Sequence, residues 1–85
     1  MSIQNLAPEP LLVLFYLLVI SHSRGNTYTL HRSREEAVEC ARKYCARSSD
    51  FGYAKNLNEK RLFAEWERHT HGMEYLSIHL LQGRL

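Results

Sequence analysis

Five histidines and two cysteines stand among the 85 residues, and with the paired carboxylates they are the groups that could hold a metal or attack a substrate. A zinc site needs four donors at spacings such as C-x2-C followed by H-x3-H. His22, His31, His69, His71 and His79, taken with Cys40 and Cys45, repeat no such spacing. They read as scattered surface histidines, so no metal and no cofactor is expected. Thiol catalysis requires a cysteine beside a histidine and a third group that orients the pair. Cys40 and Cys45 instead fall on or near the apolar side of an amphipathic stretch, where cysteine acts as a small hydrophobe. Glu35/Glu36 and Glu65/Glu67 sit among basic neighbours on helical surfaces, which a solvated face explains. Gly25, Gly52, Gly72 and Gly83 are isolated, so there is no glycine-rich phosphate loop. The expectation is a chain that is not an enzyme, with no catalytic residue.

Basic residues gather more than acidic ones. Arg24, Arg32 and Arg34 surround a turn and a helix start, and Arg42, Lys43 and Arg47 line one helix side. With Tyr28, Phe51 and Tyr53 nearby, they suggest an RNA or single-strand surface as a second reading. The net charge is only +2, from 11 basic and 9 acidic side chains, and nucleic-acid binders show stronger asymmetry.

The elements that must position these groups are dominated by Leu11 to Ile20, ten apolar residues in succession. A helix needs about 20 apolar residues to span a bilayer, so a membrane span is not expected. A secretory signal is the closer competitor, with Ser21-His22-Ser23 as a passable cleavage site. Its n-region would lack Lys and Arg and would carry Glu9, which argues for a buried strand instead. Cys40 and Cys45 lie five apart in one helical stretch, facing different ways with Cα atoms beyond about 7 Å. Two thiols that cannot bridge fit a reducing compartment, so a cytoplasmic location is expected. The composition, 45% hydrophobic and 24% charged, is that of a globular domain, and 85 residues make one such domain.

Residues 1–10 hold both prolines and read as an extended arm, with 11–85 as a single domain. The apolar run is a strand by its β-branched and aromatic content. Ser23-Arg24-Gly25-Asn26 supplies a turn, and Thr27 to His31 alternates as a half-buried strand should. Ser33-Arg34-Glu35-Glu36 is a capping box. The helix it opens buries Ala37, Val38, Ala41, Tyr44 and Cys45, with a Glu39–Lys43 pair outside. Ser48 to Tyr53 forms a loop with two exposed aromatics. Asn56 or Asn58 caps a second helix with Leu62, Phe63, Trp66 and Thr70 buried, and Gly72 stops it. Met73 to Leu81 returns to alternation as a third strand whose neighbour is left open. The order is β-β-α-α-β: an α+β, two-layer domain with two helices on one face of a three-stranded sheet.

Two helices cover one sheet face, yet the first strand is apolar on both. With an even hairpin loop, Tyr28 and Leu30 share a face with Phe15, Leu17 and Val19. Leu14, Tyr16, Leu18 and Ile20 are then expected on the uncovered face beside Thr29, Tyr75 and His79. The arm, a second copy or a foreign partner would cover that face.

A compact α+β chain of this size, with the helix Ser33–Arg47 and the strand Glu74–Leu81 as its framework and no active-site chemistry, resembles small phage and mobile-element proteins that inhibit bacterial host-defence machinery, anti-CRISPR proteins among them. The resemblance implies a non-enzymatic protein-binding module that occludes a surface of a larger nucleoprotein complex. Aromatic and arginine anchors (Arg24, Arg47, Phe51, Tyr53 and Tyr75) would carry the binding. Glu35 and Glu39 would engage a basic groove. A homodimeric structural or regulatory protein is a third reading.

Overall fold

The computed structural model describes residues 12–84, with every side chain in that span except those of Leu12, Ser49, Tyr53 and Arg84. The expected arm over residues 1–10 and the side chain of Tyr53 lie outside the described residues. The elements run β1 (Leu12–His22), β2 (Gly25–His31), α1 (Arg34–Cys45), a 3-10 segment (Ser49–Asn56), α2 (Glu59–His69) and β3 (Tyr75–Arg84). The three strands form one antiparallel sheet in the order β2-β1-β3, and the two helices complete an α+β fold. No helix among the described residues is long and apolar enough to cross a membrane.

The apolar run became the central strand because it is apolar on both faces and has neighbours on both edges. Leu12 to Ser21 pairs with Arg84 to Tyr75, and Tyr16 to His22 pairs with His31 to Gly25. Positive φ in the hairpin falls on Gly25, at 117°, and not on Ser23 or Arg24. The register runs unbroken from Tyr16 opposite His31 to His22 opposite Gly25, and a residue with a Cβ would be strained at the Gly25 φ.

The face of the sheet that the helices take reverses the sequence expectation. Leu18 is 0% exposed and Ile20 4%, both inside the core with Ala37, Val38, Ala41, Leu62, Trp66 and Leu76; Tyr16 packs against its edge. Leu14, the outermost of that set, is the exposed end of the helix-covered face. Tyr75 and His79 lie opposite Ser21 and Leu17, so they belong to the other face, not beside Leu18. Alternation fixes which side chains travel together but not which set meets the helices. The register of β3 decides that, because it sets Leu76 and Ile78 opposite Ile20 and Leu18. That assembles an aliphatic layer across β1 and β3, with Thr27, Thr29 and His31 of β2 on the same side, whereas on β1 and β3 the other set includes Ser21, Ser77 and His79.

The helix starts follow the sequence closely. Ser33 Oγ accepts from the Glu36 N–H at 3.1 Å, and Glu36 Oε2 accepts from the Arg32 N–H, one residue earlier than a strict capping box. Asn58, not Asn56, caps α2 by accepting from the Arg61 N–H at 2.9 Å. Ala37 and Ala41 are fully buried, and their small side chains let α1 lie close on the sheet. Glu39 pairs with Arg42 instead of Lys43, and the same guanidinium donates to the Leu57 carbonyl at 2.7 Å, tying α1 to the segment before α2. Arg34 and Glu59 join the two helix starts through bonds of 2.7 and 2.6 Å.

Two more expectations are corrected. Phe51 is 0% exposed, not a surface aromatic. The 3-10 segment bends at this residue (φ −118°, ψ 29°) and turns its ring inward against Trp66, edge to face at 5.1 Å. The end of α2 is set by His71, with φ 57°, ahead of Gly72. The His71 and Gly72 N–H groups donate to the carbonyls of Arg68 and Glu67, the paired bonds of a Schellman motif with histidine where glycine is usual.

Candidate functional site

The sheet face turned away from the helices carries Val13, Phe15, Leu17, Val19 and Ser21 from β1, Asn26, Tyr28 and Leu30 from β2, and Tyr75, Ser77, His79 and Leu81 from β3. Cross-strand pairing makes this one continuous surface: Val19 lies opposite Tyr28 and Ser77, Leu17 opposite Leu30 and His79, and Phe15 opposite Leu81. Eight of these twelve side chains are apolar and none is an Asp, Glu, Lys or Arg. The central row is half-buried by its neighbours, while Tyr28 and Leu30 are each 59% exposed and Tyr75 50%. The polar members largely serve one another: Asn26 Nδ2 donates to the Tyr28 hydroxyl at 3.0 Å, and Ser77 Oγ lies 2.9 Å from His79 Nε2. An antiparallel sheet facing water alternates apolar-in with polar-out. This face does not, and no described residue packs upon it.

The groups with the most reactive chemistry are built into the scaffold. Burial pushes the Cys45 thiol up to about 12, with the Glu74 carboxylate adding to the effect, so the reactive thiolate is suppressed. The Tyr44 phenol also rises to about 12, through burial first and then its hydrogen bond to Glu74. Glu74 Oε1 accepts from Tyr44 Oη at 2.6 Å and Trp66 Nε1 at 3.1 Å, clamping α1 and α2 to the start of β3. His69 Nε2 lies 3.2 Å from Ser48 Oγ and its ring stacks on Trp66. His22 and His31 pair with the hydroxyls of Thr27 and Thr29. Among the described residues no three His, Cys, Asp or Glu side chains are grouped to hold a metal ion.

Several clefts are open to solvent, one with a mainly polar lining and the others mainly apolar. One of about 600 Å³ is lined by Asp50, Glu65, Arg68, His69 and His71, and another of about 370 Å³ lies between α1 and β2 beside Lys43 and Arg47. The second includes Cys40 and Lys43 in its lining, and a third, of about 340 Å³, sets Cys40 among His31, Glu36, Glu39 and Lys43, with His31 Nε2 held by the Thr29 hydroxyl at 2.8 Å.

The residues expected to bind a partner are dispersed over the fold. Tyr75 lies on the open face. Arg24 is at the hairpin turn, Glu35 and Glu39 are on the exposed side of α1, and Arg47, just beyond α1, sits 5.9 Å over the Tyr44 ring. Phe51 is in the core. Phe15, Leu17, Val19, Tyr28 and Leu30 were expected together but as the buried set. Ser21, Ser77 and His79, sharing their face, are the sequence signal that marks it as the wetter one. No family model, curated protein or solved structure matches the chain.

Proposed function

We propose that this chain is a non-enzymatic protein-binding module whose binding surface is the open face of the sheet. One observation carries the reading: the twelve described side chains of that face include eight apolar ones and no formal charge. Contiguous exposed apolar surface beyond a few hundred Å² marks an interaction site, and isolated surface leucines do not form such a patch. Occlusion of a larger assembly, the mode of the host-defence inhibitors that the chain resembles in size and architecture, needs only a face of this kind and no catalytic group. A nucleic-acid surface is less well supported, because Arg34, Arg42 and Arg68 are each paired with a carboxylate.

The test compares immobilised wild-type chain with Leu30→Lys and Tyr75→Lys variants in extracts of the source cell. Both sites are more than half or about half exposed, so circular dichroism should be unchanged. A protein retained by the wild type and by a Thr27→Lys control, but lost from both face variants, supports the reading. Retention by all four refutes it.

A further inference from the structure

We infer that the occupant of the open face is a second copy of this chain, packed face to face across a two-fold axis. The inference rests on the binding role proposed for that face and names its partner. Three properties of the face select a copy of itself.

The first is charge. A surface without Asp, Glu, Lys or Arg meets itself with no like-charge opposition and buries no unpaired ion. It also offers no charge pattern by which a foreign partner would be steered and oriented. The second is composition. Eight of the twelve face side chains are apolar, and homodimer interfaces are the more apolar class of protein interface. The third is area. With a rise of ~3.3 Å per residue and strands ~4.8 Å apart, the three strands project roughly 450 Å². Tyr28, Leu30, Tyr75 and Leu81 stand out from the pleat at 41–59% exposure, which raises the accessible area well above the projection. That moves the face toward the ~800 Å² per partner of a standard interface. Sheets stack about 10 Å apart with strands within about 30° of alignment, so the two helix layers would lie outermost.

Sedimentation of the full chain over a range of concentrations tests this. The expected species is 20 kDa, twice the 10.0 kDa chain. Leu30→Lys should weaken dimerisation by at least ~100-fold, because a buried unpaired ammonium is strongly unfavourable. Tyr75→Lys, on the opposite edge strand, should act alike, and Thr27→Lys, on the helix side, should leave the dimer intact. A dimer that survives both face variants overturns the inference, since its interface lies elsewhere. A monomeric wild type overturns it too, and access of a soluble nitroxide to the Val19 and Leu30 methyl protons then separates the causes. Open methyls leave the face available to a foreign protein, so the binding role stands without the dimer. Shielded methyls show that residues 1–11 cover the face, and both readings fall together.

Discussion

Leu17 and Leu18 are chemically identical neighbours on the central strand, and the structure predicts opposite consequences for truncating them. Leu18 is 0% exposed between the sheet and the helices. Leu18→Ala removes its transfer free energy and leaves a cavity, a loss of about 3–5 kcal/mol. A chain of this length has about 4–13 kcal/mol in total at typical stability per residue. One truncation therefore removes a large share, and Tm should fall by about 12 °C or more. Leu17 faces the other way, flanked by Leu30 and His79 and otherwise uncovered by described residues. In the monomer Leu17→Ala forfeits only partial burial and opens no cavity, a loss of about 1 kcal/mol. The proposed association would add a second contribution for Leu17 alone, one that mass action makes grow with protein concentration. Urea denaturation followed by far-UV circular dichroism, at two protein concentrations, measures both. Equal losses at the lower concentration, or a larger loss for Leu17, would show that the helices lie on the other face and would refute the reasoning.

Other outcomes follow from the same geometry. His71→Gly relieves the left-handed conformation at the end of α2 and should raise stability by up to about 1 kcal/mol, read as a Tm increase of a few degrees. Glu74→Ala leaves the Tyr44 hydroxyl and the Trp66 N–H without their acceptor and should lose about 2–4 kcal/mol by urea denaturation, whereas Glu74→Gln keeps an acceptor oxygen and should lose less. Cys45 is held neutral by burial, its thiol raised from about 9 to about 12. The stability that this neutrality contributes is complete below about pH 9 and is lost as pH rises towards 12, so the urea midpoint should fall across that window. At pH 9 a disulfide reagent should modify half-buried Cys40 quickly and Cys45 only at the rate of opening; two equally fast thiols would contradict the burial of Cys45.

The backbone architecture was readable in the sequence because its signals are local. Ser33 and Asn58 are capping residues placed ahead of apolar periodicity, and Gly25 marks the hairpin. Two features were not readable, and both depend on contacts distant in sequence. The side of β1 that meets the helices is set by the register of β3, some sixty residues away, which aligns Leu76 with Ile20. Phe51 lies in a loop-like stretch that looks exposed by composition, and only the packing of Trp66 and His69 gives its ring a place inside. The candidate site suffered from the first of these. The two side-chain sets of β1 were sorted correctly but assigned to the wrong faces, so Leu14, Tyr16, Leu18 and Ile20 lie on the helix side; of the expected binding residues, only Tyr75 is a described side chain of the open face. Arg42 shows the same limit in charge, being spent on Glu39 and the Leu57 carbonyl instead of forming a free basic surface.

The central strand divides its residues between two selective pressures. Even-numbered positions from Tyr16 to Ile20 answer to folding, because their neighbours are the helices. Under the proposed binding role, odd-numbered positions from Phe15 to Val19 answer to the occupant of the open face. A substitution at one set need not disturb the other, since consecutive side chains of a strand share no contacts across the backbone plane. A lineage carrying this fold can therefore change the open face by drifting at alternate codons while its core stays constant. Sequence variation along β1 should accordingly show a two-residue beat, steady on one count and changeable on the next.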